Sequence, residues 1–333
     1  MIKAWHLMRR PDGMPVMGDF ALKEIALPPL DEGMVRVANR WLSVDPYMRG
    51  RMNDVKSYVP PFQLDAPMDG GAVGEVVESR DPAFAVGDRV VHMAGWRDEA
   101  VVPAAALNKL PDLGVEPQQF LGNLGLTGGT AYFGLLDAAQ AKAGDIVFVS
   151  AAAGAVGSAV VQIAKAKGMT VIGSAGGADK CAFVTSLGAD AVVDYKAGSL
   201  LKQLAAAAAS VSDKGGIDVY FDNVGGDNLD AALALARQNA RFAICGMIDG
   251  YNSGEPTALR YMMRVIAMRI RLQGFIYTDY LGRLGDFHRD MGGLIASGRL
   301  QARDTVVEGI EQTPQAFLGL FTGANTGKML VRL

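Results

Sequence analysis

The residues Ser150-Ala151-Ala152-Ala153-Gly154-Ala155-Val156-Gly157 stand between an apolar run, Ile146–Ser150, and a stretch of helical periodicity. With alanine at the first glycine position, Ala152, Gly154 and Gly157 match the spacing of a dinucleotide fingerprint. That spacing serves anion binding. Bare backbone at Gly154 lets a pyrophosphate approach, Gly157 lets a helix sit close on a strand, and the N–H groups at the helix start face the phosphates. An NAD site places an acid for the ribose 2′-hydroxyl about 20 residues further on. Here that position is Ser174, followed by Ala175-Gly176-Gly177. A 2′-phosphate would meet no carboxylate there, and Lys180 supplies the cation it needs, with Asp179 beside it weakening the field. The cofactor expected is NADPH.

Metal and thiol chemistry have little to draw on. The two cysteines, Cys181 and Cys245, and the three histidines, His6, His92 and His288, are far apart, and no CxxC or HExxH pair occurs. That count excludes a disulfide framework and a four-cysteine zinc site, and no metal is expected. Cys245 reads as a small buried residue and not a nucleophile, and His92, on a strand, as a satisfied core histidine. Arg49 and Arg51 read as braces of a turn. Met48, Met52 and Met247 are core filler able to shape an apolar pocket.

Holding such residues in place requires a particular arrangement of elements. At 333 residues and 35.1 kDa the chain exceeds one ordinary core, so two domains are expected. Up to about residue 125 it reads as strands and turns: Val35–Trp41, Ala72–Glu78 and Arg89–Met93 are β-branched runs bounded by Gly, Pro and Asp, as in a small irregular β-barrel. Thereafter strands and helices alternate. A helix pattern covers Thr130–Ala139, and the strand Ile146–Ser150 leads into an amphipathic helix with Gly168 at its end. Strand Thr170–Ser174, helix Asp179–Leu187, strand Ala191–Asp194 and helix Leu200–Ser210 follow. Strands Asp218–Phe221, Arg241–Cys245 and Arg271–Phe275 complete six, the signature of a doubly wound parallel sheet. After a helix near Leu281–Ala296, the strands Thr305–Val307 and Lys328–Val331 return the chain to the first domain. The domains expected are therefore 1–125 with 299–333, and 126–298.

A net charge of −3 and a pI of about 5.7 favour neither nucleic acid nor an anionic membrane as partner. Residues Met1–Arg10 lack the apolar run of a signal peptide, and no uninterrupted apolar run of roughly 18 residues occurs. A cytosolic protein is expected.

Several segments together resemble one family. They are Leu42-Ser43-Val44-Asp45-Pro46-Tyr47-Met48-Arg49-Gly50-Arg51-Met52, Gly129-Thr130-Ala131-Tyr132-Phe133-Gly134-Leu135, Ala151 to Ser158, and Tyr220-Phe221-Asp222-Asn223-Val224-Gly225-Gly226. Cys245-Gly246-Met247-Ile248 with Tyr251-Asn252, and Asn325-Thr326-Gly327-Lys328, complete the set. In this order they resemble the zinc-independent prostaglandin/leukotriene reductase and alkenal double-bond reductase branch of the medium-chain dehydrogenase/reductases, with bacterial curcumin-reductase-like members nearest. The resemblance implies an α/β fold in which a GroES-like β-barrel catalytic domain joins a doubly wound Rossmann domain, assembled as a homodimer. It implies that Ala153, Gly154, Ala155, Val156 and Gly157 carry the pyrophosphate. Lys180 and Tyr195, with Ser174 beside them, hold the 2′-phosphate side, and Asn223 reaches ribose or phosphate. Cys245, Gly246, Met247, Ile248 and Tyr251 line the cofactor, as do Phe275, Ile276 and Tyr277. Thr130 and Asn325 contact the nicotinamide end. Asp249-Gly250 and the loop Asp54–Leu64 depart from relatives, which leaves the substrate open.

The reaction follows from what donors exist. Direct reduction of a ketone or aldehyde needs a Lewis acid or a tuned proton donor at the carbonyl oxygen. No zinc-ligand set is present, nor a Tyr followed four residues on by Lys. Hydride delivery to the β-carbon of an α,β-unsaturated carbonyl spreads charge over an enolate that one or two hydrogen bonds can stabilise. Tyr251 is the first candidate for that donor and Tyr47 the second; for each, plain aromatic packing is the alternative. The expected activity is NADPH-dependent reduction of enones and alkenals. A zinc-free quinone oxidoreductase and a non-catalytic NADPH-binding protein are the alternatives.

Overall fold

The computed structural model describes residues 1–253 and 255–333. They divide into two compact units, Met1–Gly122 with Asp304–Leu333, and Asn123–Arg303. These boundaries lie three and five residues from the 125/126 and 298/299 that the sequence pattern predicts.

The first unit opens on a hairpin, β1 (Ile2–Leu7) with β2 (Phe20–Ile25). The long strand β3 (Met34–Ser43) then enters a sheet with β4 (Ala72–Ser79), β5 (Arg89–His92), β6 (Glu99–Pro103) and β7 (Asn108–Lys109). Because β4 pairs with β3 from Val35 to Leu42, β6 and a later strand must share the other edge of β3 in succession. Between β3 and β4 the Asp45-Pro46 turn continues into one helical turn, α1 (Tyr47–Arg51). Arg51 braces the following loop, with Nε on the Pro60 carbonyl, a bidentate pair to Asp69, and its guanidinium 4.0 Å from the Phe62 ring centre. Arg49 donates to Asn53 and to the Gly13 carbonyl.

The second unit is built as the alternation requires. Its strands are β8 (Ile146–Val149), β9 (Thr170–Ala175), β10 (Ala191–Asp194), β11 (Ile217–Asp222), β12 (Ala236–Ile244) and β13 (Arg271–Gly274). All pair in parallel, in the order β10-β9-β8-β11-β12-β13, so the order of strand addition switches sides between β8 and β11. The central strand β8 is buried at every residue, as a strand covered on both faces must be. Its Phe148 stacks on Tyr220 at 5.1 Å, and Tyr220 meets Phe242 edge-on at 5.3 Å.

Helices α2 (Leu126–Phe133), α3 (Ala155–Ala166), α4 (Ala178–Ser186), α5 (Leu200–Val211), α6 (Gly226–Leu235), α7 (Arg264–Met268) and α8 (Leu284–Ala296) accompany that sheet. In α3, Val160, Val161, Ile163 and Ala164 are fully buried, and Gly168 leaves the helix at φ +78°. In α5, Leu200, Leu204 and Ala208 form the buried stripe and Ser199 caps the first turn. The helix expected at Thr130–Ala139 begins four residues earlier and closes in a π-turn, Gly134–Ala138. Its start was hidden by glycines: a Cβ on Gly128 would lie 1.9 Å from the Asn123 carbonyl oxygen, and one on Gly129 2.1 Å from the Tyr277 ring. Glycine lowers helix propensity, and here it admits a close approach instead.

The chain then returns to the first unit as β14 (Asp304–Glu308), α9 (Thr313–Thr322) and β15 (Lys328–Arg332). β15 pairs in parallel with β14 and antiparallel with β3. Trp96, Phe20 and Phe317 form the aromatic centre of this unit, with ring centres 5.9–6.4 Å apart.

Candidate active site

The carboxyl end of β8 carries the fingerprint turn. Ala151 adopts φ +48°, and the Gly154 N–H closes the turn on the Ala151 carbonyl at 2.9 Å. Gly157 is required by packing, since a Cβ there would lie 2.2 Å from the Ala151 oxygen. At Gly154 a Cβ would lie 3.2 Å from the same oxygen, a close but milder contact, and glycine there keeps the backbone bare. No side chain caps the start of α3. The first N–H groups of α3, those of Ala155, Val156 and Gly157, therefore fit a phosphate, which is what a dinucleotide would place there beside Ala153 and Gly154.

Beside this turn lies a hub that motif reading missed. Asp222, fully buried at the end of β11, accepts through Oδ1 from Tyr220 Oη (2.7 Å) and from the backbone N–H groups of Val224 (2.9 Å) and Gly225 (2.8 Å). Ser150 Oγ accepts from the Asn223 N–H at 2.9 Å, and Asn223 Nδ2 donates to the Ser150 carbonyl at 2.7 Å. The ends of β8 and β11 are thereby locked, and Asn223 is brought to the fingerprint turn. Burial raises the Asp222 carboxyl above its ordinary range, opposed by these hydrogen bonds.

The segment after β12 folds over the same place. The Cys245 and Gly246 N–H groups donate to the Asp222 carbonyl, and the Asp249 N–H to that of Val224 at 3.1 Å. A Cβ on Gly225 would meet Met247 at 3.0 Å, and one on Gly226 would meet Asp249 Oδ2 at 2.3 Å. Ile248 begins the short turn that ends at Tyr251, whose hydroxyl lies 3.1 Å from where a Cβ on Gly246 would be. Burial first, and the Asp222 charge second, push the Cys245 thiol up to about 12, which fits a packed residue and not a nucleophile.

At the end of β9 the expected set divides. Ser174 is fully buried and donates to Asn228 Oδ1 at 2.9 Å, so its hydroxyl points into the core and is already engaged. Tyr195 is 46% exposed and packs against Gly176, near Lys180 in the first turn of α4. Burial, and then the charge of Lys196, hold the Lys180 ammonium below its ordinary value. Lys196 was not singled out from the sequence, because nothing in the motif marks the residue after Tyr195.

A second group gathers on α2. Thr130 Oγ1 donates to its own helix at the Leu126 carbonyl, 2.7 Å. Phe275 fills the space above Gly134 and lies 6.1 Å from Phe221, Ile276 follows it, and Tyr277 covers Gly129. Burial pushes the Tyr277 hydroxyl up to about 12.

Two expected residues belong to the first unit. Asn325 Nδ2 donates to the Gly327 carbonyl at 2.8 Å in the turn before β15. Lys328 continues from that turn into a buried ion pair with Asp45 at 2.7 Å, with a second bond to the Val44 carbonyl. The Tyr47 hydroxyl beyond Asp45 is buried and has no hydrogen-bond partner among the described residues. Burial, and then the Asp45 charge, raise it well above the ordinary phenol range, so it remains protonated.

Elsewhere His92 is satisfied: Nε2 pairs with Asn39 Oδ1 at 2.9 Å, and Nδ1 accepts from the Ala94 N–H at 3.1 Å. Among the described residues no group of three or more His, Cys, Asp or Glu side chains is placed to hold a metal ion. No helix among them is long and apolar enough to cross a membrane.

Known proteins match this chain along its length. Residues 3–110 match a family described as the N-terminal domain of oxidoreductase, and residues 155–292 one described as zinc-binding dehydrogenase. The chain is 43% identical to the NADPH-dependent curcumin reductase of Escherichia coli, over 99% of this chain and 96% of that protein. It is 38% identical to prostaglandin reductase 1 of Mus musculus, covering 99% and 98% of the two chains. The NADP(+)-dependent 2-alkenal reductase of Nicotiana tabacum is also 38% identical, covering 96% and 94%. The crystal structure of CurA from Vibrio vulnificus in complex with NADPH superposes with a TM-score of 0.92 at 42% identity, over 99% of this chain and 98% of that one. Identity of this order over whole chains, together with the six-stranded nucleotide-binding sheet, means that the chain belongs to the medium-chain dehydrogenase/reductase family, in the branch of the curcumin, prostaglandin and alkenal reductases.

Proposed function

We propose that this protein is an NADPH-dependent reductase of the carbon–carbon double bond of α,β-unsaturated ketones and aldehydes. The observation that carries this reading is its whole-length similarity to NADPH-dependent reductases of such compounds, combined with an uncapped α3 N-terminus over a glycine turn. Bound NADPH supplies a hydride. The N–H groups of the fingerprint turn hold the pyrophosphate, and Lys180 and Tyr195 face the 2′-phosphate. Asn223, the Cys245–Ile248 segment and Tyr251 bind along the cofactor. Phe275, Ile276 and Tyr277 also line the cofactor, and Thr130 and Asn325 bind its nicotinamide end, where Thr130 keeps its acceptor lone pairs because its proton is directed to Leu126.

The chain's remaining task is to stabilise the oxygen that gains charge as the β-carbon is reduced. Tyr251 is our first candidate for that donor and Tyr47 the second. The unpartnered Tyr47 hydroxyl supports the latter, since a buried O–H without an acceptor is unfavourable until a ligand provides one. The same reading makes the enzyme zinc-independent, cytosolic and homodimeric. A quinone oxidoreductase is the weaker alternative, because similarity to structures of that activity is 21–23% in sequence and speaks for the fold alone.

The test is NADPH oxidation, followed by absorbance, with an enone, with a quinone and with neither, before and after exhaustive chelation. Enone-dependent oxidation that survives chelation is expected. Oxidation with quinone alone, or one zinc per chain by elemental analysis, overturns the reading.

A further inference from the structure

Gly176 and Gly177 carry the chain from β9 into α4, the place where an NAD-binding sheet sets its acid. Here the surroundings are cationic and aromatic. A Cβ on Gly176 would lie 2.5 Å from Tyr195 Cζ and Oη and 3.0 Å from Lys196 Cε. The phenol ring and the lysine stem therefore cover bare backbone side by side. Lys180 stands in the first turn of α4, directly after Gly177, and its ammonium is held below its ordinary value by burial first and by the charge of Lys196 second.

The neighbouring carboxylate, Asp194, lies within reach of the Lys196 charge and also builds the loop. Its Oδ1 accepts from the N–H groups of Gly177 at 3.0 Å and Lys196 at 2.9 Å, and these bonds hold its carboxyl below the ordinary range. The Asp194 carbonyl accepts from Gln203 of α5 at 2.9 Å. The backbone of Lys196 is thus pinned, unlike that of a lysine on a free surface loop. Asp179, exposed in the first turn of α4, is the other acid of this region.

We propose that Lys196 is a cofactor-selecting residue that forms, with Lys180, a two-ammonium clamp on the 2′-phosphate of NADPH. The proposal rests on the reading above that the dinucleotide lies across the carboxyl ends of β8 and β9. Two ammonium groups held close repel one another in the ligand-free protein. A phosphate monoester, carrying a charge of roughly −2, turns that repulsion into two charge-assisted hydrogen bonds. A 2′-hydroxyl leaves the repulsion in place. The discrimination therefore comes from both terms, the attraction gained with one cofactor and the repulsion retained with the other.

Isothermal titration of the whole protein with 2′,5′-ADP and with 5′-AMP separates the outcomes. Lys196→Ala should weaken 2′,5′-ADP by about 10-fold and flatten its salt dependence, leaving 5′-AMP within about twofold, as loss of one charge-assisted contact requires. Lys196→Arg should retain the affinity, and Lys180→Ala should lose it as Lys196→Ala does. Unchanged 2′,5′-ADP binding in Lys196→Ala, or equal weakening of both ligands, overturns the role of Lys196. Wild-type protein that binds 2′,5′-ADP no more tightly than 5′-AMP overturns the placement of the 2′-phosphate, and the clamp with it.

Discussion

At the scale of single residues the decisive question is which hydroxyl meets the developing charge. Tyr251→Phe keeps the ring beside Gly246 and removes only the donor. Loss of an oxyanion-type donor lowers turnover by about 100- to 1,000-fold, and less if the bond is shared. We expect kcat with an enone to fall while NADPH affinity holds. Tyr47→Phe should have the smaller effect on turnover, and removing its unpartnered hydroxyl should leave stability intact. Full turnover in Tyr251→Phe beside a loss in Tyr47→Phe would reverse the assignment. A second residue-scale expectation concerns acid. Burial depresses His92 from 6.5 to about 4. The unfolded chain then binds the extra proton between those values, so the contribution of His92 is complete above pH ~6.5 and is lost as pH falls toward ~4. The shift corresponds to about 3 kcal/mol at most. Thermal unfolding from pH 7 to pH 4 should show a steep fall in wild type and a shallower one in His92→Gln. Parallel slopes would remove His92 from the account.

At the scale of elements, the turn from β8 to α3 makes two glycines do different work. Gly157→Ala drives a methyl into the Ala151 carbonyl, and α3 must move off the strand. Overpacking of this kind costs about 1–3 kcal/mol. Both melting temperature and NADPH affinity should therefore drop. Gly154→Ala meets the same oxygen at 3.2 Å, a close contact but far milder than the 2.2 Å at Gly157, so it should lose much less stability than Gly157→Ala while NADPH binding weakens. Calorimetric melting and fluorescence titration of the two variants check this contrast, and identical behaviour of the pair would contradict it. The same reasoning explains α2, where Gly128 and Gly129 serve the Asn123 backbone and the Tyr277 ring in preference to helix propensity.

For the whole molecule the edge strand β13 bears on assembly. It ends the six-stranded sheet, and an unpaired edge invites a second chain. Nearby, Met263 and Ile266 of the α7 segment are more than 70% exposed, which is unusual for large apolar side chains at a free surface. Light scattering in dilute native buffer should return twice the 35.1 kDa chain mass. A monomer mass under those conditions would count against dimerisation.

What the sequence determined by itself was carried by short-range pattern. The apolar run Ile146–Val149, the glycine spacing after it and the three- and four-residue steps of α3 place a nucleotide-binding turn because strand, turn and helix are local conformations. The alternation from β8 to β13 specifies a parallel sheet for the same reason. Helices α1, α6, α7 and α9, and strands β1, β2, β6 and β7, carry no pattern strong enough to mark them in the sequence. Tertiary structure alone decided where side chains point. Ser174 was legible as the residue at the end of β9, yet its hydroxyl is claimed by Asn228, 54 residues away. Asp222 stands in the Tyr220–Gly226 segment without a role of its own in the sequence, and the fold makes it the acceptor that holds the loop. Lys196 acquired its place only when β10 brought it over Gly176. Each of these depends on a contact between segments distant in the chain, and such contacts are set by packing and hydrogen-bond satisfaction across the whole unit, which no local pattern encodes.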